Sequence, residues 1–298
     1  MKNFKDDFFE KGYISKLPVL NRLKANSIFK DYEDFIKSKI DKASLIEHKT
    51  KSHLYFPWAN ELIHNNEILD HVEKVIGPNF FCWNSVIFHK HPNSSTFVSM
   101  HQDQNYWGII HDKALSVQLA ITYSKINNGC LRILPGSHKN NYSHEDLVVK
   151  DNLLARGQSI SENELDNNKF LDVELDAGQC VLFHGNLVHG SKPNLSNDHR
   201  LCFTMRFLTT DNKIKKNLYY NYATLVRGTD QFNYFQKEKS LKDQNIEELR
   251  QQHKEIVISQ IEKYVKLKFK NKIITKIIMF FLKNKVLRSI YYEVIKKN

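Results

Sequence analysis

Beyond Gly77-Pro78 the sequence breaks into short runs dense in β-branched and aromatic residues, and this texture limits the fold more than any other feature. The runs are Phe80–His89, Thr96–His101, Ala114–Tyr123, Cys130–Leu134, Phe170–Leu175, Cys180–His184 and Leu201–Leu208. Turn signals separate them: His91-Pro92-Asn93, Asn127-Asn128-Gly129, Pro135-Gly136-Ser137, Asp176-Ala177-Gly178 and Pro193-Asn194. Within Ala114–Tyr123, Leu115, Val117, Leu119 and Ile121 alternate with Ser116, Gln118, Ala120 and Thr122, the period of a half-buried strand. About eight short strands set off by turns predict a mainly β molecule, a double-sheet sandwich or jelly roll. Ahead of them Phe8, Phe9, Tyr13, Ile28, Phe29, Tyr32, Phe35, Ile36 and Ile40 recur at helical spacing, and 60–76 continues in that manner. Two or three N-terminal helices are therefore expected. The polar stretch Lys139–Lys169 is too long for a connector and reads as a functional excursion or lid.

With 298 residues, 41% hydrophobic and 26% charged, the chain can bury a substantial core, which excludes a disordered chain or a disulfide-stapled miniprotein. The net charge of +11 is misleading as a guide to partners. Thirteen of the 44 basic residues and only three of the 33 acidic ones lie in 250–298, so residues 1–249 are almost neutral. Cys82, Cys130, Cys180 and Cys202 sit singly in apolar stretches without metal-site spacing, the pattern of buried free thiols. The N-terminus lacks the apolar run of a signal peptide, and Ile273–Leu282, interrupted by Lys276, is too short to span a membrane. A cytoplasmic location is expected, with contact at the inner face of a membrane as one reading of the tail.

The chemistry concentrates in Met100-His101-Gln102-Asp103-Gln104-Asn105-Tyr106-Trp107. On an extended backbone His101 and Asp103 share a face and can offer an imidazole and a carboxylate to one ion. A histidine from another strand would complete the two-His, one-carboxylate set of non-haem Fe(II) oxygenases. Taken alone the tripeptide says little; its company says more. Downstream come Phe183-His184-Gly185-Asn186-Leu187-Val188-His189-Gly190-Ser191, then Pro193-Asn194-Leu195-Ser196 and His199-Arg200. Between them stands Asn128-Gly129-Cys130-Leu131-Arg132-Ile133-Leu134-Pro135-Gly136-Ser137-His138, and the chain opens with Phe8-Phe9-Glu10-Lys11-Gly12-Tyr13.

With these motifs the chain resembles the phytanoyl-CoA dioxygenase family of Fe(II)- and 2-oxoglutarate-dependent oxygenases over most of residues 4–235. The resemblance implies a double-stranded β-helix (jelly roll, cupin-like) core with N-terminal helices and a helical C-terminal appendage. The division expected is a dioxygenase domain at 1–252 and a basic amphipathic tail at 253–298. It makes His101, Asp103 and His189 the iron ligands, with Arg200 and Ser191 on the distal carboxylate of 2-oxoglutarate and Asn84 as a looser co-substrate contact. A guanidinium fork matches a carboxylate with two parallel hydrogen bonds, as a lysine cannot. His184 lies five residues before His189, an odd number, and is expected to face away. Fe(II), 2-oxoglutarate and O2 follow as cofactor and co-substrates, with ascorbate in support, and hydroxylation as the outcome. Halogenating relatives carry a small residue where Asp103 stands.

Two further segments, Asp151-Asn152-Leu153-Leu154-Ala155-Arg156-Gly157-Gln158 and Ala223-Thr224-Leu225-Val226-Arg227-Gly228, resemble a bacterial branch that includes hydroxylases of small polar molecules such as aminoethylphosphonates. Arg156 and Arg227 would then face an anionic group, with Gln158, Asn105, Tyr106 and Trp107 lining the pocket. Either arginine could equally fix a loop, and either aromatic could be plain core. A small, polar, anionic metabolite is the expected substrate, with oxidative tailoring of a natural product or of a lipid- or carrier-linked precursor, and non-catalytic binding, as alternatives. The tail carries Val257, Ile261, Val265, Ile273, Ile277, Phe280, Phe281 and Leu287 near helical spacing among lysines. It reads as a helix at an anionic membrane surface, against its own domain or against a second copy; no motif points to nucleic acid.

Overall fold

The computed structural model describes residues 3–38, 48–109, 113–147, 149–154, 157–166, 169–214 and 221–268. Helices α1 (Phe4–Lys11) and α2 (Arg22–Ser38) flank strand β1 (Tyr13–Pro18), and α3 (Pro57–Ile63) and α4 (Asn66–Ile76) complete the N-terminal layer. Strands β2 (Phe80–Lys90) and β3 (Val98–His101) lead into the one-turn helix α5 (Gln104–Trp107). Then come β4 (Ala114–Ala120), β5 (Leu131–Ile133), β6 (Glu145–Asp146), β7 (Gln158–Ser159), β8 (Leu171–Val173), β9 (Gln179–His184) and β10 (His189–Ser191). The described chain ends with β11 (Arg200–Thr209), β12 (Tyr222–Arg227), β13 (Gln236–Lys237) and α6 (Ile246–Lys268). A large sheet ordered β1-β9-β4-β11-β2-β12-β13 stands against a small one ordered β3-β10-β5-β8, with β6 and β7 paired separately. This is the jelly-roll core with flanking helices that the strand texture predicts.

The large sheet is buried on both sides, for different reasons. Its outer face, with Leu115, Val117 and Leu119 of β4 and Leu201, Phe203, Met205 and Phe207 of β11, packs against α1 to α4. Helix α4 serves that contact because Ile68, Leu69, Val72 and Val75 fall on one stripe; Asn65 caps its start, accepting from Ile68 N–H at 3.2 Å. The inner face sends Ala120, Val181, Phe183 and Cys202 against Leu131, Ile133 and Val173 of the small sheet. Strand β4 is thus buried throughout rather than half-buried. Its alternate face is polar because Gln118 lines a cavity between the sheets, not because it meets solvent. All four cysteines are free and buried.

Helix α6 crosses the expected boundary between 252 and 253. Leu249 and Ile256 pack on Leu54, and the buried His253 bonds the Thr50 carbonyl at 2.8 Å, so the helix begins as part of the body. The basic stretch beyond residue 268 lies outside the described residues. Among the described residues no helix is long and apolar enough to cross a membrane.

Candidate metal centre and active site

His101 ends β3 and His189 begins β10, and antiparallel register sets the two opposite each other, with ring centroids 4.2 Å apart. Asp103 arrives by a different route from the one expected. The strand stops at His101, and Asp103 takes helical angles (φ −60°, ψ −42°) at the start of α5, so a tight turn rather than strand alternation brings its carboxylate in. Asp103 Oδ1 lies 3.6 Å from His101 Nε2, and Oδ2 lies 3.8 Å from His189 Nε2. All three residues are buried, with one ligand atom from each within 4.8 Å of the others. His101 Nδ1 is 2.9 Å from the Ser99 carbonyl and His189 Nδ1 is 2.8 Å from the Leu187 carbonyl. Donation from Nδ1 fixes both tautomers and leaves the two Nε2 lone pairs turned toward the carboxylate. The strands close here only over glycine: a Cβ on Gly190 would lie 2.7 Å from the Val98 carbonyl oxygen and 2.9 Å from Met100 Sδ. These three residues form the 2-His-1-carboxylate facial triad typical of Fe(II)/2-oxoglutarate dioxygenases.

His184 is not in this group. It ends β9, its Nδ1 accepting from Asn186 N–H at 3.1 Å, with its ring 5.1 Å from that of His138. A four-residue turn separates it from His189, so strand parity across one continuous strand is not what turns it away.

The residue most informative about the triad was not anticipated. Arg206 donates from Nη2 to Asp103 Oδ1 at 3.0 Å, and its guanidinium stacks 5.5 Å from the Trp107 ring. Burial alone would raise the Asp103 carboxyl, but Arg206 and then the two imidazoles outweigh it and hold the group below the ordinary carboxylate range. Burial, reinforced by His101, pushes His189 down to about 3, so its imidazole is neutral, the form that ligates a metal. Ser116 adds a hydroxyl donor 3.3 Å from Asp103 Oδ2. Arg206 was legible in principle: six residues along β11 from Arg200, it shares that residue's face.

A cavity of about 380 Å³, including its mouth, opens beside the triad, and Arg200, Ser191, Gln118, Thr204 and Arg206 line it with Phe88, Val98, Leu131 and Phe183. Arg200 is almost fully buried, with Nε 3.4 Å from Ser124 Oγ. Lys90, also unanticipated, pairs with Arg200 in register and donates to Ser191 Oγ at 2.7 Å and to the Lys192 carbonyl. Burial, reinforced by Arg200, lowers its ammonium to about 7. Gln118 Nε2, Thr204 Oγ1 and Arg206 Nε are buried without a hydrogen-bond partner among the described protein groups. Three orphaned polar atoms around one cavity fit a polar ligand.

The remaining expected residues fall elsewhere. Asn84 does not line the cavity; beside a bulge in β2, its Oδ1 accepts from Lys51 and Ser85 N–H at 3.1 and 2.9 Å. Arg227 is turned to the helical layer, bonding Glu73 at 2.5 Å and Asp70 at 2.8 Å, which is the loop-fixing alternative. Trp107 is core, edge-on to Trp83 and under Arg206, and Tyr106 reaches out to Asp146 at 3.0 Å. Gln158 sits on β7, where its carbonyl accepts from Ser99 Oγ, and its side-chain Oε1 is buried without a partner among the described groups. Arg156 lies outside the described residues. The 139–169 excursion is tied to the ligand segment by Gln102 N–H, which donates to His144 Nε2 at 2.8 Å.

Comparison with known proteins agrees with this geometry. The family model for phytanoyl-CoA dioxygenase matches residues 19–202, more than half of the chain. A probable α-ketoglutarate-dependent hypophosphite dioxygenase of Stutzerimonas stutzeri is 27% identical over 59% of this chain and 62% of its own length. The peroxisomal phytanoyl-CoA dioxygenase of Homo sapiens is 28% identical over 49% of this chain and 44% of its own. The chain thus spans between about two fifths and three fifths of these relatives. A solved structure, the apo form of the non-heme monooxygenase ThoJ, superposes with a TM-score of 0.73 at 26% identity, covering 87% of this chain and 99% of its own.

Proposed function

The chain belongs to the phytanoyl-CoA dioxygenase family, and from that premise we propose that it is an Fe(II)- and 2-oxoglutarate-dependent hydroxylase of a small, polar, anionic metabolite. The observation that carries the reading is the triad: two imidazoles whose Nδ1 atoms meet backbone carbonyls and whose Nε2 atoms face one carboxylate, all buried, are a donor set that fits Fe(II). Bound there, the iron would supply the O2 chemistry that couples conversion of 2-oxoglutarate to succinate and CO2 with hydroxylation of a C–H bond. The protein's own part is to hold and orient. Arg206 keeps Asp103 ionised, and its stacking on Trp107 fixes the direction from which it does so. Arg200, with Ser191 and Lys90 beside it, offers a doubly cationic cradle for the distal carboxylate of 2-oxoglutarate. The apolar wall of Phe88, Val98, Leu131 and Phe183 excludes water from that end of the cavity. Asp103 occupies the carboxylate position, which favours hydroxylation over halogenation.

Support for an anionic substrate comes from the orphaned donors of Gln118, Thr204 and Arg206, and from the Stutzerimonas relative, a probable dioxygenase of hypophosphite, a small phosphorus oxyanion. Purified protein given Fe(II), ascorbate and 2-oxoglutarate should form succinate slowly without a prime substrate. Small phosphonates or anionic amino acids should then accelerate 2-oxoglutarate consumption. Acceleration by lipid-like candidates alone would overturn the substrate class, and absence of succinate under every condition would overturn the activity.

A further inference from the structure

Three more histidines meet at the edge of the large sheet, on the back of the Arg200 and Lys90 cradle. His89 and His91 lie two apart at the end of β2, and His199 immediately precedes β11. The antiparallel register pairs Arg200 with Lys90 and Leu201 with His89. Alternation then sorts the side chains: Lys90 and Arg200 are buried inward, while the histidines take the opposite face, with His89 and His199 half-buried and His91 exposed. One ligand nitrogen from each ring lies within 4.8 Å of the other two, and His89 Nε2 stands 2.9 Å from His199 Nδ1. Tyr32 and Phe29 of α2 pack on two of the rings, 5.5 Å from His89 and 5.6 Å from His199, which orients both.

We propose that His89, His91 and His199 bind a divalent transition-metal ion of the zinc class, with the fourth coordination position open to solvent beside His91. Three imidazoles and an open position make a known zinc ligand set. At 2.9 Å, one of the two facing nitrogens of His89 and His199 must hold a proton between them; when the cation takes that nitrogen the proton leaves it and the same ring takes one up at its other nitrogen, so both rings ligate as neutral imidazoles. Tetrahedral coordination with Zn–N bonds of about 2.0–2.1 Å sets ligand nitrogens about 3.3 Å apart. The pair therefore opens by only about 0.4 Å, within reach of small ring rotations. An ion here ties the end of β2 to the start of β11, the strand pair that carries Lys90 and Arg200. The inference does not rest on the function proposed above.

The test is a Zn²⁺ titration of tag-free, full-length protein. A His101→Ala/His189→Ala variant, which removes the imidazoles of the triad, should still bind one equivalent of zinc and melt at a higher temperature with it. Adding His91→Ala or His199→Asn to that variant should abolish both the binding and the shift. In otherwise unaltered protein, His91→Ala alone should lose one zinc equivalent, and its exposed position makes it safe for folding. Zinc stoichiometry unchanged in His91→Ala and His199→Asn, or no zinc bound by the folded triad variant, would overturn the assignment.

Discussion

Charge placed inside the jelly roll carries most of this site, and each buried charge has an identifiable partner or ligand. Arg200 and Lys90 are neighbours in register with like charge, an arrangement that is unfavourable until an anion joins them. Arg200→Lys should therefore raise the KM for 2-oxoglutarate at least tenfold while metal binding is retained, because a point charge cannot replace the guanidinium fork. Lys90 makes a different prediction. Its pKa is lowered from 10.5 to about 7, so the free protein carries this second charge below about pH 7 and loses it above. Affinity for the 2-oxoglutarate dianion should fall as pH rises through 7, and Lys90→Met should be weaker at low pH but flat across the range. A wild-type profile without that slope would remove Lys90 from the cradle. His101, Asp103 and His189 could be read from short motifs because their spacing and company are local. For Arg206 and Lys90 a strand face at most was legible: each is a lone charge in an apolar run, and its role appears only when the fold sets it against Asp103 or Arg200.

Among the elements, β12 and the segment that follows β13 are fastened to the body by one buried polar cluster. Lys51, fully buried, donates to Glu238 Oε1 at 2.5 Å and to the carbonyls of Trp83 and Tyr222. Glu238 Oε2 accepts from Thr224 Oγ1 at 2.8 Å and lies 3.1 Å from His53 Nε2. Burial would raise the Glu238 carboxyl, but Lys51 and His53 prevail and lower it to about 2. A carboxyl lowered on folding stabilises above its unfolded pKa near 4.5, and that contribution is lost as pH falls from 4.5 toward 2. Glu238→Gln, which leaves a buried ammonium without its counter-ion, should destabilise by about 3–5 kcal/mol in urea unfolding, and Lys51→Met/Glu238→Leu should recover much of it. Equal stability of Glu238→Gln and wild type would contradict the cluster's role. Strands were legible here because apolar runs bounded by Gly, Pro and Asn have few other fates. The half-buried reading of β4 failed because period two cannot tell a face that meets solvent from one that lines a polar cavity. At 252 the charge composition changes, yet Leu249, His253 and Ile256 follow one helical stripe across that point, because composition does not register which face of a helix is packed.

For the whole molecule, the helical layer supports the large sheet from outside, while its inner face is divided between an apolar core against the small sheet and the ligand cavity, so the chemistry is confined to the inner side of strands that both faces stabilise. Truncation after residue 245 uncovers Leu54 and should lower the melting temperature by several degrees, whereas truncation after residue 268 leaves that contact in place. Liposome flotation of the full and the 268-residue proteins at low and high salt would identify any surface attraction due to the basic tail. The central claim is that His101, Asp103 and His189 hold the iron on which succinate formation depends. The direct measurement is succinate produced from 2-oxoglutarate, with iron content, in His101→Ala, Asp103→Ala, His189→Ala and His184→Gln. Loss of both in the first three and retention in His184→Gln is the expected result; activity kept by His189→Ala and lost in a folded His184→Gln would contradict it.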